Sequence, residues 1–246
     1  MSVQQYDEIG EAFEGFKGLT LAHYAEVPGF LALVGDVRGK SVLDLASGTG
    51  FYSREFKRRG ATEVLGVDIS GEMVAAARKF EDGAPLGVRY EVGDVAELAP
   101  LGRRFDIATG VQLLNYAEDI ATMERMCRNV HRNLVPGAGF FLLNQSPDYR
   151  FDGPSLGKYG FLSEPTGEEA EVGPRVRTTA LLDPPISFVS TRPRREVYEH
   201  CLRAAGFGEL TWVPLKVSDA GMREFGADFW ADFNANPPLE MLRCRA

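Results

Sequence analysis

The sequence predicts an α/β fold, a doubly wound sheet of mostly parallel strands covered by helices on both faces. Three observations carry that expectation. An apolar, β-forming run over residues 41–45 contains Asp44 and opens into Ala46-Ser47-Gly48-Thr49-Gly50, after which 51–59 can continue as a helix. A second run, 64–69, brings Asp68 to its end about 20 residues beyond Gly48, where nucleotide-binding βαβ units place a ribose-binding carboxylate. A third, 88–92, leads to Gly93-Asp94-Val95. Glycines suit a turn whose backbone a ligand must approach closely, and the following helix N-terminus offers unpaired N–H groups. Three acids and a glycine turn on one sheet edge describe a nucleoside site.

The remaining elements follow in chain order. Residues 2–36 read as two helical pieces, with Tyr6, Ile9, Phe13 and Phe16 at helical spacing and Leu21, Tyr24, Leu31 and Val34 continuing the pattern. The plain reading is a pair of packing helices; the sharper one is a lid. A helix over 71–80 follows the second strand. The fourth strand is 105–109, running into Gly110-Val111-Gln112 and then Asn115-Tyr116. A long helix over 117–134, stopped by Pro136 and Gly137, precedes a fifth strand at 140–144. From 145 to 193 prolines and glycines are dense and helical periodicity is lost. Two short strands, 175–182 and 186–191, suit a hairpin around Asp183-Pro184-Pro185. This insertion, 146–193, sits after the fifth strand and is read as a substrate cap ahead of a dimer arm. A helix over 194–205, a sixth strand at 209–217, a helical stretch at 219–233 and a last strand at 239–244 complete seven strands in one domain spanning 1–246.

Composition narrows the function. The 246 residues are 44% hydrophobic and 25% charged, as in ordinary globular proteins. A net charge of −8 argues against a nucleic-acid or anionic-membrane partner. There is no run of 18 apolar residues and no signal-peptide pattern. Three cysteines, Cys127, Cys201 and Cys244, are odd in number and far apart, which reads as reduced thiols and a cytoplasmic protein, with no disulfide frame and no metal site.

The motif residues resemble the class I S-adenosylmethionine-dependent methyltransferases, whose Rossmann-like sheet closes with an antiparallel seventh strand. The resemblance implies that the loop Asp44, Ala46, Ser47, Gly48, Thr49, Gly50 and Tyr52 holds the methionine end of S-adenosylmethionine. It implies that Asp68 takes the ribose, with Ile69 and Met73 beside it, and that Gly93, Asp94 and Val95 take the adenine. Gly110 follows at the end of the fourth strand, and Tyr6 is the lid residue reaching the methionine end. Ala46 departs from the family's more frequent glycine. Further along, Gln5-Tyr6-Asp7-Glu8-Ile9-Gly10, Asn115-Tyr116-Ala117, Lys158-Tyr159-Gly160 and Ala205-Gly206-Phe207 resemble toxoflavin-type N-methyltransferases of azapteridine biosynthesis. That likeness implies a small, flat, heteroaromatic secondary-metabolite acceptor and nitrogen as the first choice of methylated atom, with O-, C- or S-methylation as the alternative.

Methyl transfer from a sulfonium is an in-line displacement in which alignment and exclusion of water do most of the work. Asn115 and Tyr116 are the candidate catalytic residues, with a helix cap and a core ring as their plainer roles. His23 is a weak candidate base. Phe13, Tyr24, Tyr159, Phe188 and Trp230 are candidates for an aromatic acceptor pocket, and Asn144 at the end of the fifth strand is a candidate substrate contact with backbone hydrogen bonding as its plainer role. Two decoys, Asn236-Pro237-Pro238 and Asp183-Pro184-Pro185, are similar to the signature of amino-methylating nucleic-acid enzymes, yet neither follows the fourth strand. An NAD(P) oxidoreductase is disfavoured because Ser53 stands where the third fingerprint glycine belongs. The oligomeric expectation is a monomer or homodimer.

Overall fold

The computed structural model describes residues 15–246. The three motif runs become β1 (Ser41–Leu45), β2 (Glu63–Asp68) and β3 (Arg89–Val92), joined by β4 (Phe105–Val111) and β5 (Leu134–Gln145). After an inserted three-strand sheet of β6 (Phe161–Ala170), β7 (Gly173–Ala180) and β8 (Ile186–Thr191), the chain returns through β9 (Gly208–Pro214) and β10 (Leu239–Arg245). The main sheet runs β3-β2-β1-β4-β5-β10-β9. Pairing from β3 to β5 is parallel, and β10 lies antiparallel between β5 and β9. This is the seven-stranded, doubly wound α/β sheet the sequence predicts, with the order reversing between β1 and β4. Ligands of such sheets bind at that switch point, outside the strands' carboxyl ends.

Helices cover both faces: α1 (Val27–Val34), α2 (Phe51–Arg58), α3 (Gly71–Gly83), α4 (Ile120–Arg132), α5 (Arg195–Ala204), α6 (Asp219–Phe229) and α7 (Ala231–Ala235). Because successive strand residues point to opposite faces, β1 sends Val42 to one core and Leu43 to the other. All five β1 residues are buried, as a parallel strand covered on both sides requires. One core gathers Leu43, Phe105, Phe140 and Leu142 with Met123 and Val130 of α4 and Tyr198 of α5. The other gathers Val42, Val64 and Ile107 with Phe30, Phe56, Val74 and Trp230. Fully burying each such side chain stabilises the fold by about 1.5–3 kcal/mol. Cys127, Cys201 and Cys244 are free thiols buried in the first core. No helix among the described residues is long and apolar enough to cross a membrane.

Several boundaries differ from the sequence expectation for identifiable reasons. The helix expected over 117–134 is α4, three residues shorter at its start, because Asp119 caps it by accepting from the Thr122 N–H at 2.6 Å. Ahead of that cap, Leu114–Tyr116 forms a separate 3₁₀ turn. Pro136 and Gly137 do not follow the helix as a loop. They lie in the first half of β5, where the register against β4 shifts between Phe105 and Ile107. The predicted hairpin is β7–β8, but a third strand, β6, completes it from a segment interrupted by Pro165 and Gly167. Of the N-terminal helical pair, the described part is a 3₁₀ turn over 15–18, then a helical stretch from 20 that passes through a π-helical turn, Ala22–Glu26, straight into α1. Tyr6 and Phe13 lie outside the described residues.

Candidate active site

The loop after β1 is shaped by left-handed backbone. Ala46 (φ 54°), Gly48 (φ 53°) and Gly50 (φ 80°) alternate with ordinary residues, and Gly50 caps α2. A Cβ on Gly50 would stand 2.2 Å from the Tyr90 hydroxyl, so glycine is required there for space as well as for its φ. Below the loop, Asp44 is buried and accepts from the Ser53 hydroxyl at 2.6 Å and the Thr109 hydroxyl at 2.7 Å. Burial pushes its carboxyl up to about 6 against the opposing effect of those two hydrogen bonds. Asp68 reaches across from the end of β2 and accepts from the Gly48 N–H at 2.7 Å and the Ser70 N–H at 3.0 Å. The β2 acid thereby ties its own strand end to the glycine turn. Asp94, after β3, caps a 3₁₀ turn by accepting from the Ala96 N–H at 2.8 Å.

The loop, Asp68 and Asp94 border a cavity of about 510 Å³. On the β1–β3 side its wall is Ser47, Gly48, Asp68, Asp94 and the apolar Ile69, Met73 and Val95. Ile69 is 45% exposed, an apolar surface on the cavity that a flat ligand would cover. The opposite wall comes from the N-terminal segment and the inserted sheet. Phe16 stacks on Phe188 (centroids 6.3 Å apart) and meets Phe161 edge-on at 6.4 Å, and all three face the cavity.

The fourth-strand loop supplies the floor between them. Gln112 lines it with φ 55°, left-handed backbone in a residue with a Cβ, and its Oε1 has no hydrogen-bond partner among the described residues.

The structure brings most of the expected cofactor set to this cavity: Ala46, Ser47, Gly48, Thr49, Tyr52, Asp68, Ile69, Met73, Gly93, Asp94 and Val95 line it. Asp44, Gly50 and Gly110 stand behind that lining. Gly110 has no room for a side chain, since a Cβ would meet Leu113 at 2.9 Å and Leu142 at 3.0 Å. Among the expected acceptor and catalytic residues, Tyr116 and Phe188 line the cavity. Burial holds the Tyr116 phenol well above its ordinary range.

The other catalytic and acceptor candidates need correction. His23 is exposed, away from the cavity, with its ring edge against Tyr24. Tyr24 turns outward to hydrogen-bond Glu224 and pack on Phe225. Tyr159 and Trp230 are fully buried and stacked on each other at 5.1 Å, their polar tips bonded to the backbone carbonyls of Phe229 and Gly221. Such rings are core, because a satisfied polar tip lets the aromatic face be buried completely. Asn115 and Asn144 are also fully buried and do not reach the cavity lining.

Sequence reading missed Lys17, Glu26, Gln145, Ser163 and Arg192, all of which line the cavity. Glu26 is buried, ion-paired with Lys17, and accepts from the Tyr52 hydroxyl at 3.0 Å. Lys17 lies over the Tyr52 ring at 4.6 Å. The available signal was a charge inside an apolar run: Glu26 between Ala25 and Val27, and Arg192 closing a β-forming run. The Asn236-Pro237-Pro238 decoy has a plain role. The Asn236 side chain bonds both backbone groups of Arg150, at 2.9 and 2.8 Å, and sets Pro238 and Leu239 against the cavity.

The sheet order, the antiparallel penultimate strand and the acid–glycine edge are those of the class I methyltransferase fold. Residues 42–137 match the family model of a methyltransferase domain. The ubiquinone biosynthesis O-methyltransferase of Coxiella burnetii is 32% identical over 105 residues, 43% of this chain and 43% of that protein. The chain thus spans less than half the length of the curated relatives it matches. Among solved structures, an S-adenosylmethionine-dependent methyltransferase from Mesorhizobium loti superposes with a TM-score of 0.66 at 24% identity, covering 94% of this chain and all of that one. The DhpI–SAH complex gives 0.62 at 18% identity, covering 99% and 94%. These likenesses carry the fold beyond residues 42–137.

Proposed function

We propose that the chain transfers the methyl group of S-adenosylmethionine to a small, flat, heteroaromatic acceptor of secondary metabolism, with nitrogen as the preferred atom. The supporting observation is one cavity with two unlike walls: acids and backbone donors on the β1–β3 side, aromatic rings on the cap side. The residues present fit the cofactor. Asp68 and Asp94 offer carboxylates to the ribose and the adenine amine. Ile69, Met73 and Val95 give apolar contact to the base, and the Ser47–Gly50 turn receives the methionine end. When bound, the cofactor supplies an electrophilic methyl group.

The chain's own contribution is to align the acceptor and exclude water. Residues 1–36 and 146–193 act as covers over the acceptor end, in a single domain spanning 1–246. Tyr116, held protonated, serves as a hydrogen-bond donor to the acceptor and not as a base. The working unit is a monomer or homodimer in the cytoplasm, with no nucleic-acid or membrane partner. O-methylation is the second reading, favoured by the names of the curated relatives.

The test is incubation with methyl-labelled S-adenosylmethionine and matched heteroaromatic acceptors bearing a ring N–H or a hydroxyl, read by mass spectrometry. Label on ring nitrogen supports the proposal. Label confined to hydroxyl acceptors replaces it with the second reading, and no label on any acceptor refutes both.

A further inference from the structure

Arg192 is a charged group of the cavity for which the cofactor reading finds no use. It lines the cavity at the end of β8 and is only 4% exposed. Its Nε donates to Gln145 Oε1 at 3.3 Å and its Nη2 to Ser163 Oγ at 3.2 Å, while Nη1 has no acceptor among the described residues. The rings of Tyr149 and Phe151 lie 4.5 and 4.6 Å from the guanidinium carbon. No carboxylate among the described residues pairs with it. Three neighbouring arginines do have acidic partners: Arg195 pairs with Asp148 and Glu240, Arg194 with Glu169, and Arg175 with Glu118 and Glu168.

A buried guanidinium held only by neutral groups and ring faces is costly, because desolvation penalises its charge and neutral acceptors return little of it. Consistently, burial pulls its pKa down to about 10. A ligand anion would offset that cost, and the planar fork with a donor left over suits an oxyanion. Its position separates it from the glycine turn. Gln145 ends β5, Ser163 lies on β6, and the turn follows β1, with β4 between β1 and β5. Two strand spacings put β5 roughly 10 Å from β1.

We propose that Arg192 binds an anionic oxygen of the acceptor, so that the substrate is a heteroaromatic compound carrying a carboxylate or an equally acidic oxygen. This inference rests on the methyltransferase reading and names the substrate class of that same cavity. Phe161 and Phe188, which line the cavity with Arg192, would take the ring while the guanidinium takes the charge. Gln145 is the positioning residue: its amide donates to Ser190 Oγ at 2.7 Å, which turns its carbonyl oxygen toward Arg192.

The test uses paired probes that differ only in charge: nicotinate against nicotinamide, and benzoate against benzamide. They are titrated into protein saturated with S-adenosylhomocysteine. The acids are expected to bind at least tenfold more tightly than their amides. That preference should vanish in Arg192→Met and survive in part in Arg192→Lys, with S-adenosylhomocysteine affinity unchanged in both. Equal or undetectable binding of acid and amide overturns the proposal, as does an acid preference that persists in Arg192→Met. A matching loss of S-adenosylhomocysteine affinity would reassign Arg192 to the cofactor's carboxylate. Failure of the wild-type protein to bind S-adenosylhomocysteine would instead sink the underlying methyltransferase reading.

Discussion

Asp44 gives the structure a measurable pH signature. Its carboxylate is 2% exposed, and burial lifts it to about 6, above the ordinary aspartate value of about 3.9. A raised carboxyl pKa means the folded state holds its proton more tightly than the unfolded chain. The resulting stabilisation is complete below about pH 4 and is lost as pH rises through about 6. The difference between the folded and unfolded values corresponds to about 3 kcal/mol in all, of which about half falls between pH 5 and pH 8. For a chain of this length 1 kcal/mol moves Tm by about 2–4 °C. Asp44→Asn removes the titration and keeps an acceptor for one of the two hydroxyls. Thermal unfolding of both proteins at pH 5 and pH 8, without cofactor, should show the mutant gaining about 3–6 °C on the wild type at the higher pH. A gap that stays constant between the two pH values would refute the argument that desolvation governs Asp44.

Ala46 adopts φ 54°, which costs a residue with a Cβ about 1–2 kcal/mol, while glycine there adds unfolded-state entropy worth about 0.4–1 kcal/mol. Ala46→Gly should therefore leave Tm unchanged or raise it by up to about 6 °C, and a fall of several degrees would contradict the strain. If residues 146–193 cover the acceptor, hydrogen exchange in β6 to β8 should slow when S-adenosylhomocysteine and acceptor are both bound. Slowing confined to 46–52 would assign the inserted sheet another role. His23→Ala, at an exposed position outside the cavity lining, should leave turnover within about twofold. A loss of 10²–10⁴-fold with cofactor binding intact would make His23 a general base after all.

How far the sequence reached depended on whether a residue's role was set locally. The Gly48–Gly50 turn, Asp68 and Asp94 were legible because strand, turn and helix start lie within a few residues of one another. The seven strands were legible for the same reason, through apolar runs of the right length. β6 was hidden because Pro165, Gly167 and its acidic residues obscure any alternation, and only pairing with β7 makes it a strand. The aromatic residues were misassigned because composition does not tell a core ring from a pocket ring. Tyr159 and Trp230 are decided by backbone acceptors 70 and 9 residues away, whereas Phe188 is decided by Phe16 stacked beside it on the same cavity wall. Arg192 was missed because its significance is the lack of an acidic partner, which only the folded neighbourhood reveals.

Calorimetric titration of S-adenosylhomocysteine into the wild-type protein and Asp68→Ala tests the central claim most directly. Asp68 both bonds the Gly48 N–H and faces the cavity where the ribose would lie. Each charge-assisted bond lost should cost about 1.5–3 kcal/mol, so affinity is expected to fall at least tenfold while the folded spectrum is retained. Wild-type affinity in Asp68→Ala, or no binding to the wild-type protein, would contradict a cofactor site at the β1–β2–β3 edge.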